Sequence, residues 1–303
     1  MDRIYFENGV TLYDATQLES MKRQYMKNPM SLLEVNEEDA KRITTSIINF
    51  LSDYTAKSKT RGYVIGLSGG IDSSVSAALA VKAVGRENVY GMLLSSKFTS
   101  QGHIDDALLL ANKFGIEVNN YELVKKHFDD AIELTMKMTE VSKDHPSYNL
   151  LLGNNHARER MKILRGKAAS LRSLVLGTTN LTEAWLGYAT IAGDGYKGVD
   201  IEPIQRLPKT SEMVYARFIG IPEQIITKAP TAGLWEDQTD EGEIGMSYED
   251  IDRVMTGYLL GIDRSDIVKA NNKPTITMET IEKIVARAEA NEFKAKPEPY
   301  AEL

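Results

Sequence analysis

Residues 62–220 alternate between short apolar runs and longer amphipathic stretches, and no other feature of the sequence limits the possible folds as strongly. Four apolar runs have the character of buried strands: Gly62–Leu67, Asn88–Ser95, Ile116–Leu123 and Leu174–Gly177. Between and after them, apolar residues recur at helical spacing over 73–84, 104–114, 124–141, 150–170 and 211–219. Strands that alternate with helices form βαβ units around a parallel sheet. The sequence therefore predicts an α/β fold, a parallel sheet with helices on both faces.

Three polar loops follow predicted strands of this sheet. They are GLSGGIDSS at 66–74, the pair Ser95-Ser96, and GTTN at 177–180. Ligands of open α/β sheets bind beyond the carboxyl ends of the strands. We therefore expect the three loops to meet at one edge of the sheet and to form a binding site there.

The GLSGGIDSS loop has the composition of an anion-binding turn. Glycines let the backbone approach an anion closely, N–H groups at a helix start point toward it, and serine hydroxyls add donors. Asp72 would repel a phosphate unless a cation lay between them, so it indicates Mg²⁺. On composition alone, a simple turn in which Ser73 caps the following helix stays open. The loop is not a Walker A sequence, because the GK[ST] ending is absent, and it is not GxGxxG.

Composition argues against several classes of protein. The net charge of −7 is unsuited to a general nucleic-acid binder, which needs a clustered basic surface. No apolar run approaches the roughly 18 residues of a membrane span. The chain has no cysteine, which removes disulfides, thiolate metal sites and thiol nucleophiles and fits a cytoplasmic protein. We expect neither a nucleic acid nor a membrane as a partner.

The loop and several later segments together resemble one enzyme family. SGG-x-DS is similar to the loop of the ATP pyrophosphatases, the PP-loop superfamily, which cleave ATP between the α and β phosphates. Asn155–Met161 resembles the A-R-x-R-M helix of NAD synthetases, and Leu176–Glu183 resembles their L-G-T-x-N-x-x-E segment. Further pieces match in order: Gly193–Gly195, Asp200–Ile204, Lys209-Thr210, Pro230–Trp235, Gln238–Glu241 and Glu243–Met246. The resemblance covers the chain between Glu38 and Gly261 and is specific for the NAD synthetase family.

This resemblance implies an adenine nucleotide alpha hydrolase-like, Rossmann-like fold and a set of site residues. The pyrophosphate part of ATP would be held by Ser68, Gly69, Gly70, Asp72 and Ser73. Further ATP contacts would come from Thr178, Lys209 and Thr231, and Mg²⁺ would be held by Asp72 and Glu183. The catalytic residues would be Asp72, Glu183 and Lys209. The acceptor, deamido-NAD in the family, would face Arg158, Tyr188, Asp194 and Asp200.

The resemblance also implies a reaction and its partners. The acceptor carboxylate attacks the α-phosphorus of ATP to give an acyl adenylate and pyrophosphate, and ammonia then displaces AMP and leaves an amide. Glutamine-using relatives carry an extra domain with a cysteine nucleophile. Because this chain has no cysteine, we expect free ammonia or ammonia from a separate partner. The family forms homodimers, and the same is expected here.

Three parts of the chain are expected. Residues 1–35 are polar and mixed and are predicted to be an N-terminal arm. Residues 36–262 are predicted to be the NAD synthetase-like ATP-pyrophosphatase domain, which begins with a helix capped by Asn36. Residues 263–303 are predicted to be a C-terminal helix and tail. Within the domain, Lys228–Glu243 is predicted to be an acidic loop, and Ser247 is predicted to cap a helix.

One segment departs from the family pattern. Where the family usually reads T-K-Y-G-D-G, residues 190–195 read TIAGDG, so the lysine and the aromatic residue are replaced by Ile191 and Ala192. Residues 196–199 lengthen the segment that follows, and Lys197 could restore a charge that isoleucine cannot supply. Two alternatives to NAD synthesis stay open. One is a ligase that amidates a different carboxylate or carbonyl acceptor, and the other is a non-catalytic nucleotide-binding protein, which the intact Asp72, Glu183 and Lys209 argue against.

Overall fold

The computed structural model of the protein describes residues 6–7, 10–11, 15–119, 121–230 and 239–296. Half of the predicted acidic loop, residues 231–238 with Thr231, lies outside the described residues. The strands are β1 (Phe6–Glu7), β2 (Val10–Thr11), β3 (Tyr63–Gly66), β4 (Val89–Met92), β5 (Glu117–Val118) and β6 (Leu174–Val175). Short 3₁₀ turns span Pro29–Leu32, Arg86–Asn88 and Glu292–Ala295.

The helices occupy most of the remaining chain. They are α1 (Ala15–Lys27), α2 (Glu37–Ser58), α3 (Ile71–Val84), α4 (Gln101–Phe114), α5 (Tyr121–Met138), α6 (Tyr148–Leu171), α7 (Leu181–Leu186), α8 (Lys209–Ile219), α9 (Glu223–Ile226), α10 (Asp240–Ile244), α11 (Tyr248–Leu259), α12 (Arg264–Asn271) and α13 (Met278–Asn291). Among these helices, none combines the length and the apolar character needed to cross a membrane.

The central sheet is parallel and has the strand order β5-β4-β3-β6. Tyr63 and Ile65 of β3 are fully buried in one apolar cluster, to which α2, α3, α4 and α8 contribute. Val64, between them, is buried in another cluster, with Met161 and Leu164 of α6. Successive side chains of a strand point to opposite faces, so helices cover both faces of the sheet. The predicted α/β fold with a parallel sheet is confirmed.

Several helix ends are determined by residues that the sequence marks. Asn36 caps α2 by accepting from the Asp39 N–H, and the Asp39 side chain in turn accepts from the Asn36 N–H. Gly115 ends α4 in the left-handed conformation, at φ 68°. The predicted cap of α11 is also present, because the Ser247 side chain accepts from the Asp250 N–H. These contacts place the predicted helices within a few residues of where the sequence put them.

The predicted strand Ile116–Leu123 is much shorter in the structure and spans only Glu117–Val118. The cause is Asn119, whose side-chain amide continues the pairing with β4. Its Oδ1 accepts from Leu93 N at 2.7 Å, and its Nδ2 donates to Leu93 O at 3.2 Å. Because a side chain satisfies the neighbouring backbone here, the chain leaves the sheet and α5 begins at Tyr121.

The C-terminal helices form a second apolar layer, and α1 packs into it. Tyr25 of α1 is fully buried there with Ile251 and Leu259 of α11 and Ile267 of α12. Its hydroxyl donates to Arg253 O at 2.8 Å and accepts from Asn271 Nδ2 at 2.9 Å. The described part of the predicted arm is therefore tied to residues more than two hundred positions away.

Candidate active site

A cavity of 840 Å³ lies at the carboxyl ends of β3, β4 and β6. Each of the three predicted polar loops contributes to its wall, through Ser68, Ser95 and Thr178 respectively. The expectation that the loops meet at one edge of the sheet is confirmed. The same wall carries Asp72, Glu183 and Lys209, which stand far apart in the sequence.

The loop between β3 and α3 brings backbone N–H groups and serine hydroxyls to the cavity, and two of its N–H groups are held by side chains of the loop itself: Ser68 N donates to Ser73 Oγ and Gly70 N donates to Ser68 Oγ. Gly69 has φ +76°, and a Cβ there would lie 2.2 Å from His103 O, so only glycine fits. Gly70 is the N-cap of α3 and offers no side-chain cap, so the first N–H groups of the helix need another partner. Ser73 does not cap the helix; its Oγ donates to Gly70 O and lies 3.0 Å from Ser68 Oγ. The loop has the form of an anion cradle.

Asp72 is paired with Lys209 at the base of the cavity. Lys209 Nζ lies 2.5 Å from Asp72 Oδ2, and Asn180 Nδ2 donates to Asp72 Oδ1 at 2.7 Å. Burial opposes the ionisation of Asp72, but the charge of Lys209 and the hydrogen bonds outweigh it and lower the pKa of Asp72. Burial alone would lower the pKa of Lys209, whereas the charges of Asp72, Glu212 and Glu183 raise it. Both groups are therefore ionised at neutral pH.

Glu183 lies at the start of α7 and forms a capping box with Asn180. Its Oε2 accepts from Asn180 N at 3.1 Å, while Asn180 Oδ1 accepts from Glu183 N at 2.9 Å. Asn180 therefore links the two carboxylates, since its Nδ2 also reaches Asp72. Burial, and next the negative charge of Asp72, raise the pKa of Glu183 well above its usual value. Two carboxyls of this kind are stabilised when a cation is shared between them.

The residues present fit the Mg²⁺ that the sequence predicts. No cluster of three or more metal-ligating His, Asp or Glu side chains occurs within the described ranges. Mg²⁺ does not require one, because it usually binds one or two carboxylates together with water and phosphate oxygens. Asp72 and Glu183 supply two oxygen-donor groups in the cavity wall. Mg²⁺ binding stays a prediction.

Two buried acids that the sequence motifs do not mark support Lys209. Asp252 of α11 accepts from Thr182 Oγ1 at 2.5 Å and from Thr210 N at 2.7 Å, and Thr182 Oγ1 accepts from Lys209 N. Burial raises the pKa of Asp252 to about 6. Glu212 is fully buried 3.7 Å from Lys209 Nζ. Only the unusual position of Asp252, beside the apolar stripe of α11, could have indicated it from the sequence.

On the acceptor side, Tyr188 and Asp194 line the cavity. The Tyr188 hydroxyl donates to Glu243 Oε2 at 2.8 Å, and burial with nearby acids raises its pKa. Asp194 Oδ1 accepts from Thr190 N at 2.7 Å, and burial raises the pKa of Asp194. These two predicted acceptor residues therefore share a cavity with the predicted ATP residues.

The other two predicted acceptor residues lie elsewhere. Neither Arg158 nor Asp200 is among the described residues that line the cavity. Arg158 is exposed, and its Nε donates to Ile191 O at 3.3 Å. The Asp200 carboxylate is occupied by Arg165 Nη1 at 2.5 Å and by Val175 N at 2.7 Å. Arg158 therefore contacts the segment that departs from the family pattern, and Asp200 reaches it through Arg165, which also donates to Gly198 O.

That segment is supported by cations that are distant in the sequence. Arg165 donates to Gly198 O as well as to Asp200, and Ala192 and Lys197 have φ angles of 58° and 64°. Non-glycine residues in this conformation cost about 1–2 kcal/mol each unless the surroundings hold them. Lys294 of the C-terminal 3₁₀ turn also reaches this region, because its Nζ donates to Gly187 O at 2.7 Å. No motif in the sequence marks Lys294.

Comparisons with known proteins agree with this geometry. The sequence model of the NAD synthase family matches residues 43–298. The NH(3)-dependent NAD(+) synthetase of Methanosarcina mazei is 38% identical over 88% of this chain and 99% of that protein. The enzyme of the same name from Methanocaldococcus jannaschii is 35% identical over 88% of this chain and 98% of its own length.

Solved structures give the same result. The NMN synthetase of Francisella tularensis has a TM-score of 0.72 and 30% identity over 87% of this chain and 99% of its own. The NH3-dependent NAD synthetase of Campylobacter jejuni has a TM-score of 0.69 and 27% identity over 87% of this chain and all of its own. The SGG-x-DS loop lies in the wall of the cavity, the family model matches most of the chain, and the relatives align over nearly their whole length. This chain therefore belongs to the NAD synthase family.

Proposed function

We propose that this protein is an ammonia-dependent ligase that uses ATP to convert the carboxylate of deamido-NAD into the amide of NAD. The observation that carries the proposal is the grouping of Asp72, Glu183 and Lys209 in one cavity with Ser68, Gly70 and Ser73 of the anion cradle. The curated relatives that align over nearly their full length are NH3-dependent NAD(+) synthetases, which supports the same reaction here. These relatives do not favour the alternative suggested by Ile191-Ala192, a ligase that amidates a different acceptor.

The ATP side follows from the cradle. In this proposal the backbone of Gly69 and Gly70 and the hydroxyls of Ser68 and Ser73 bind the pyrophosphate part of ATP. Thr178 and Lys209 bind its phosphates, and Thr231 has the same role from outside the described residues. The buried ammonium of Lys209 neutralises negative charge that builds on the leaving group, and burial strengthens that effect. Asp72 and Glu183 would hold Mg²⁺, which supplies further charge neutralisation at the phosphates.

The reaction proceeds in two displacements. A carboxylate oxygen of deamido-NAD attacks the α-phosphorus, the bond to the β-phosphate oxygen breaks, and pyrophosphate leaves. Ammonia then attacks the acyl carbon, loses a proton, and the bond to AMP breaks, so NAD and AMP are released. No protein nucleophile is required, because positioning and charge neutralisation are sufficient for such transfers.

The acceptor side uses residues of two kinds. Tyr188 and Asp194 in the cavity wall would contact deamido-NAD. Arg158 and Asp200 would act at the edge of the acceptor site, where Arg158 meets Ile191 O and Asp200 anchors Arg165. This distinction predicts that changes at Tyr188 and Asp194 raise the acceptor KM directly.

The test is a product balance. The purified protein is incubated with ATP, Mg²⁺, ammonium and deamido-NAD, and NAD, AMP and pyrophosphate are quantified. We expect the three products in equal amounts, no reaction with the Asp72→Asn variant, and loss of reaction when Mg²⁺ is chelated. A parallel incubation replaces deamido-NAD by nicotinate mononucleotide, the carboxylate form of NMN. Folded, ATP-binding protein that makes no NAD would contradict the proposal. Faster turnover of nicotinate mononucleotide than of deamido-NAD would show that the mononucleotide is the preferred acceptor.

We further propose a homodimer. Leu134 and Met138 of α5 and Leu150 of α6 are 64%, 77% and 59% exposed on two helices that pack against each other, and these apolar side chains are available to a second copy of the chain. Light scattering should give twice the mass of 33.8 kDa. Met138→Glu should shift the protein to the monomer, and a wild-type monomer at micromolar concentration would contradict the dimer. We also propose a cytoplasmic location, where ATP is available, and cell fractionation tests it.

A further inference from the structure

We propose that Arg160 and Lys97, held on an aromatic row, form a second phosphate-binding subsite of the cavity, on the β4 side. The ligand chemistry is a phosphoryl oxyanion. It belongs either to ATP and its pyrophosphate product or to the diphosphate bridge of the acceptor, and the experiment below separates these sources. This inference rests on the proposed function only for the identity of those ligands.

The first observation is that two cations enter the cavity wall from different segments. Arg160 lies on α6, and Lys97 lies in the loop after β4. The Nε of Arg160 donates to Leu94 O at 3.2 Å, which fixes the guanidinium against the end of β4. No hydrogen bond from its two terminal nitrogens or from Lys97 Nζ is found within the described residues. Five donors in a planar fork suit phosphate oxygens.

The second observation is the aromatic row that carries these cations. Phe98 and Phe128 flank the ring of His156, with centroid distances of 5.8 Å and 5.6 Å. Lys97 Nζ lies 5.1 Å from the Phe98 centroid, and Arg160 Cζ lies 5.7 Å from the Phe128 centroid. A cation on an aromatic face is held by the ring quadrupole without losing its hydrogen-bond donors. The row therefore positions both charges and leaves them able to bind an anion.

His156 acts as an uncharged spacer in this row. It is fully buried, and neither ring nitrogen has a hydrogen-bond partner within the described residues. Burial, followed by the charges of Arg160 and Lys97, lowers the pKa of His156 to about 4. The imidazole is neutral at physiological pH, so it packs like a third aromatic ring and adds no charge.

A third observation is an unpaired hydroxyl in the same cavity wall. Ser95 is 3% exposed, lines the cavity, and its Oγ has no hydrogen-bond partner within the described residues. Buried hydroxyls are normally satisfied, so an unpaired one in a cavity wall indicates a ligand atom or water. Serine, arginine and lysine donors in one cavity wall are a typical set for phosphate oxygens.

Two acids near this subsite limit how much positive charge it has. Asp129 Oδ2 accepts from Lys97 N at 3.1 Å, and the charges of Asp194 and Asp129 both act on Arg160. Arg160 and Lys97 are groups of this wall that would attract a phosphate, and the two acids weaken that attraction.

The test compares Arg160→Met, Arg160→Lys and Lys97→Met with Lys162→Met as the matched control. Lys162 lies on the same helix but is 70% exposed and pairs with Glu159. Binding of ATP, pyrophosphate and deamido-NAD is measured by calorimetry, and kcat and KM are measured in parallel. A charge-assisted bond to phosphate corresponds to about a 10- to 150-fold change in Kd. We expect that weakening for Arg160→Met, partial rescue in Arg160→Lys, about threefold for exposed Lys97→Met, and none for Lys162→Met.

The outcomes show whether the subsite binds phosphates of ATP or of the acceptor, and they test the subsite separately from the proposed function. Weaker binding of ATP and pyrophosphate alone assigns the subsite to the nucleotide, and weaker binding of deamido-NAD alone assigns it to the acceptor. Unchanged affinity for all three ligands in Lys97→Met and in a folded Arg160 variant overturns the subsite, even if the protein makes NAD. Arg160-dependent pyrophosphate binding in a protein that makes no NAD keeps the subsite and removes the proposed function.

Discussion

Removal of the Lys209 ammonium, in a Lys209→Met variant, should destabilise the folded protein strongly even without any ligand. The side chain of Lys209 is 1% exposed, and that of Asp72 is 21% exposed. Methionine fills a similar volume, so the variant removes the charge and leaves the packing nearly intact. The buried carboxylate of Asp72 would then lose its cation, and the nearby acids Glu183 and Glu212 would add to the unfavourable field.

The magnitude follows from the geometry. At 2.5 Å the attraction between Lys209 and Asp72 is about 7 kcal/mol for an effective dielectric constant of about 20. Desolvation of the two charges offsets several kcal/mol of this attraction, and loss of one partner from a buried pair typically costs about 3–5 kcal/mol. Since Asp72 is partly exposed, we expect a loss of about 3 kcal/mol in the free energy of unfolding.

The assay is urea unfolding of the ligand-free protein at several pH values. Lys209 lowers the pKa of Asp72 in the folded state, so this contribution is present above the ordinary pKa of aspartate and is lost as the pH falls through the lowered value. The difference between wild type and Lys209→Met should therefore shrink in acid. The exposed pair of Lys162 and Glu159 supplies the control, and Lys162→Met should change stability by less than about 0.5 kcal/mol.

A double variant tests whether the pair of Lys209 and Asp72 carries this stability. In Asp72→Asn with Lys209→Met, the uncompensated carboxylate is gone, so much of the lost stability should return. If Lys209→Met is as stable as wild type, or if the double variant is no more stable than Lys209→Met, the pair does not carry the stability assigned to it.

Three further predictions concern other sites. Gly69→Ala should weaken ATP binding by at least tenfold in calorimetry, because the added Cβ would lie 2.2 Å from His103 O and displace the cradle; unchanged affinity would contradict its shape. The stability of His156→Phe in urea titrations should depend less on acid than that of the wild type. Between about pH 6.5 and pH 4 His156 binds a proton in the unfolded wild type but not in the folded one, so the free energy of unfolding of the wild type falls by about 3 kcal/mol over this range. Tyr25→Phe should lose about 1–2 kcal/mol of stability with its bond to Arg253 O, and an unchanged unfolding midpoint would show that this bond contributes nothing.

Local signals in the sequence were sufficient for most of the sheet and for the position of the 66–74 loop between a strand and a helix. The strand that precedes Gly66, the helix that follows Gly70 and the cap at Asn36 depend on neighbouring residues, and each lies close to its predicted place. The short β5 could not be predicted in this way. Its end depends on Asn119, whose amide pairs with a strand that lies 26 residues earlier in the chain.

The supporting residues of the site were missed for the same physical reason. Asp252 acts through Thr182, 70 residues away, and Lys294 reaches Gly187 O across 107 residues. Neither contact leaves a periodic pattern or a motif in the sequence. Asp200 shows the opposite case: it belongs to a recognisable motif, but its carboxylate is paired with Arg165 and does not line the cavity. A motif identifies which residues belong to a site, and only tertiary structure shows which of them face the ligand.

The packing of Tyr25 against α11 and α12 has a consequence for folding during synthesis of the chain. Its hydroxyl pairs with residues 228 and 246 positions later, so that layer cannot close until most of the protein has been translated. At about 5–20 residues per second, the apolar side of α1 must wait roughly 10–50 s for its partners on the ribosome. A nascent chain with α1 exposed for that time is a natural client for chaperones, and release of α1 from the finished protein would expose the same surface again.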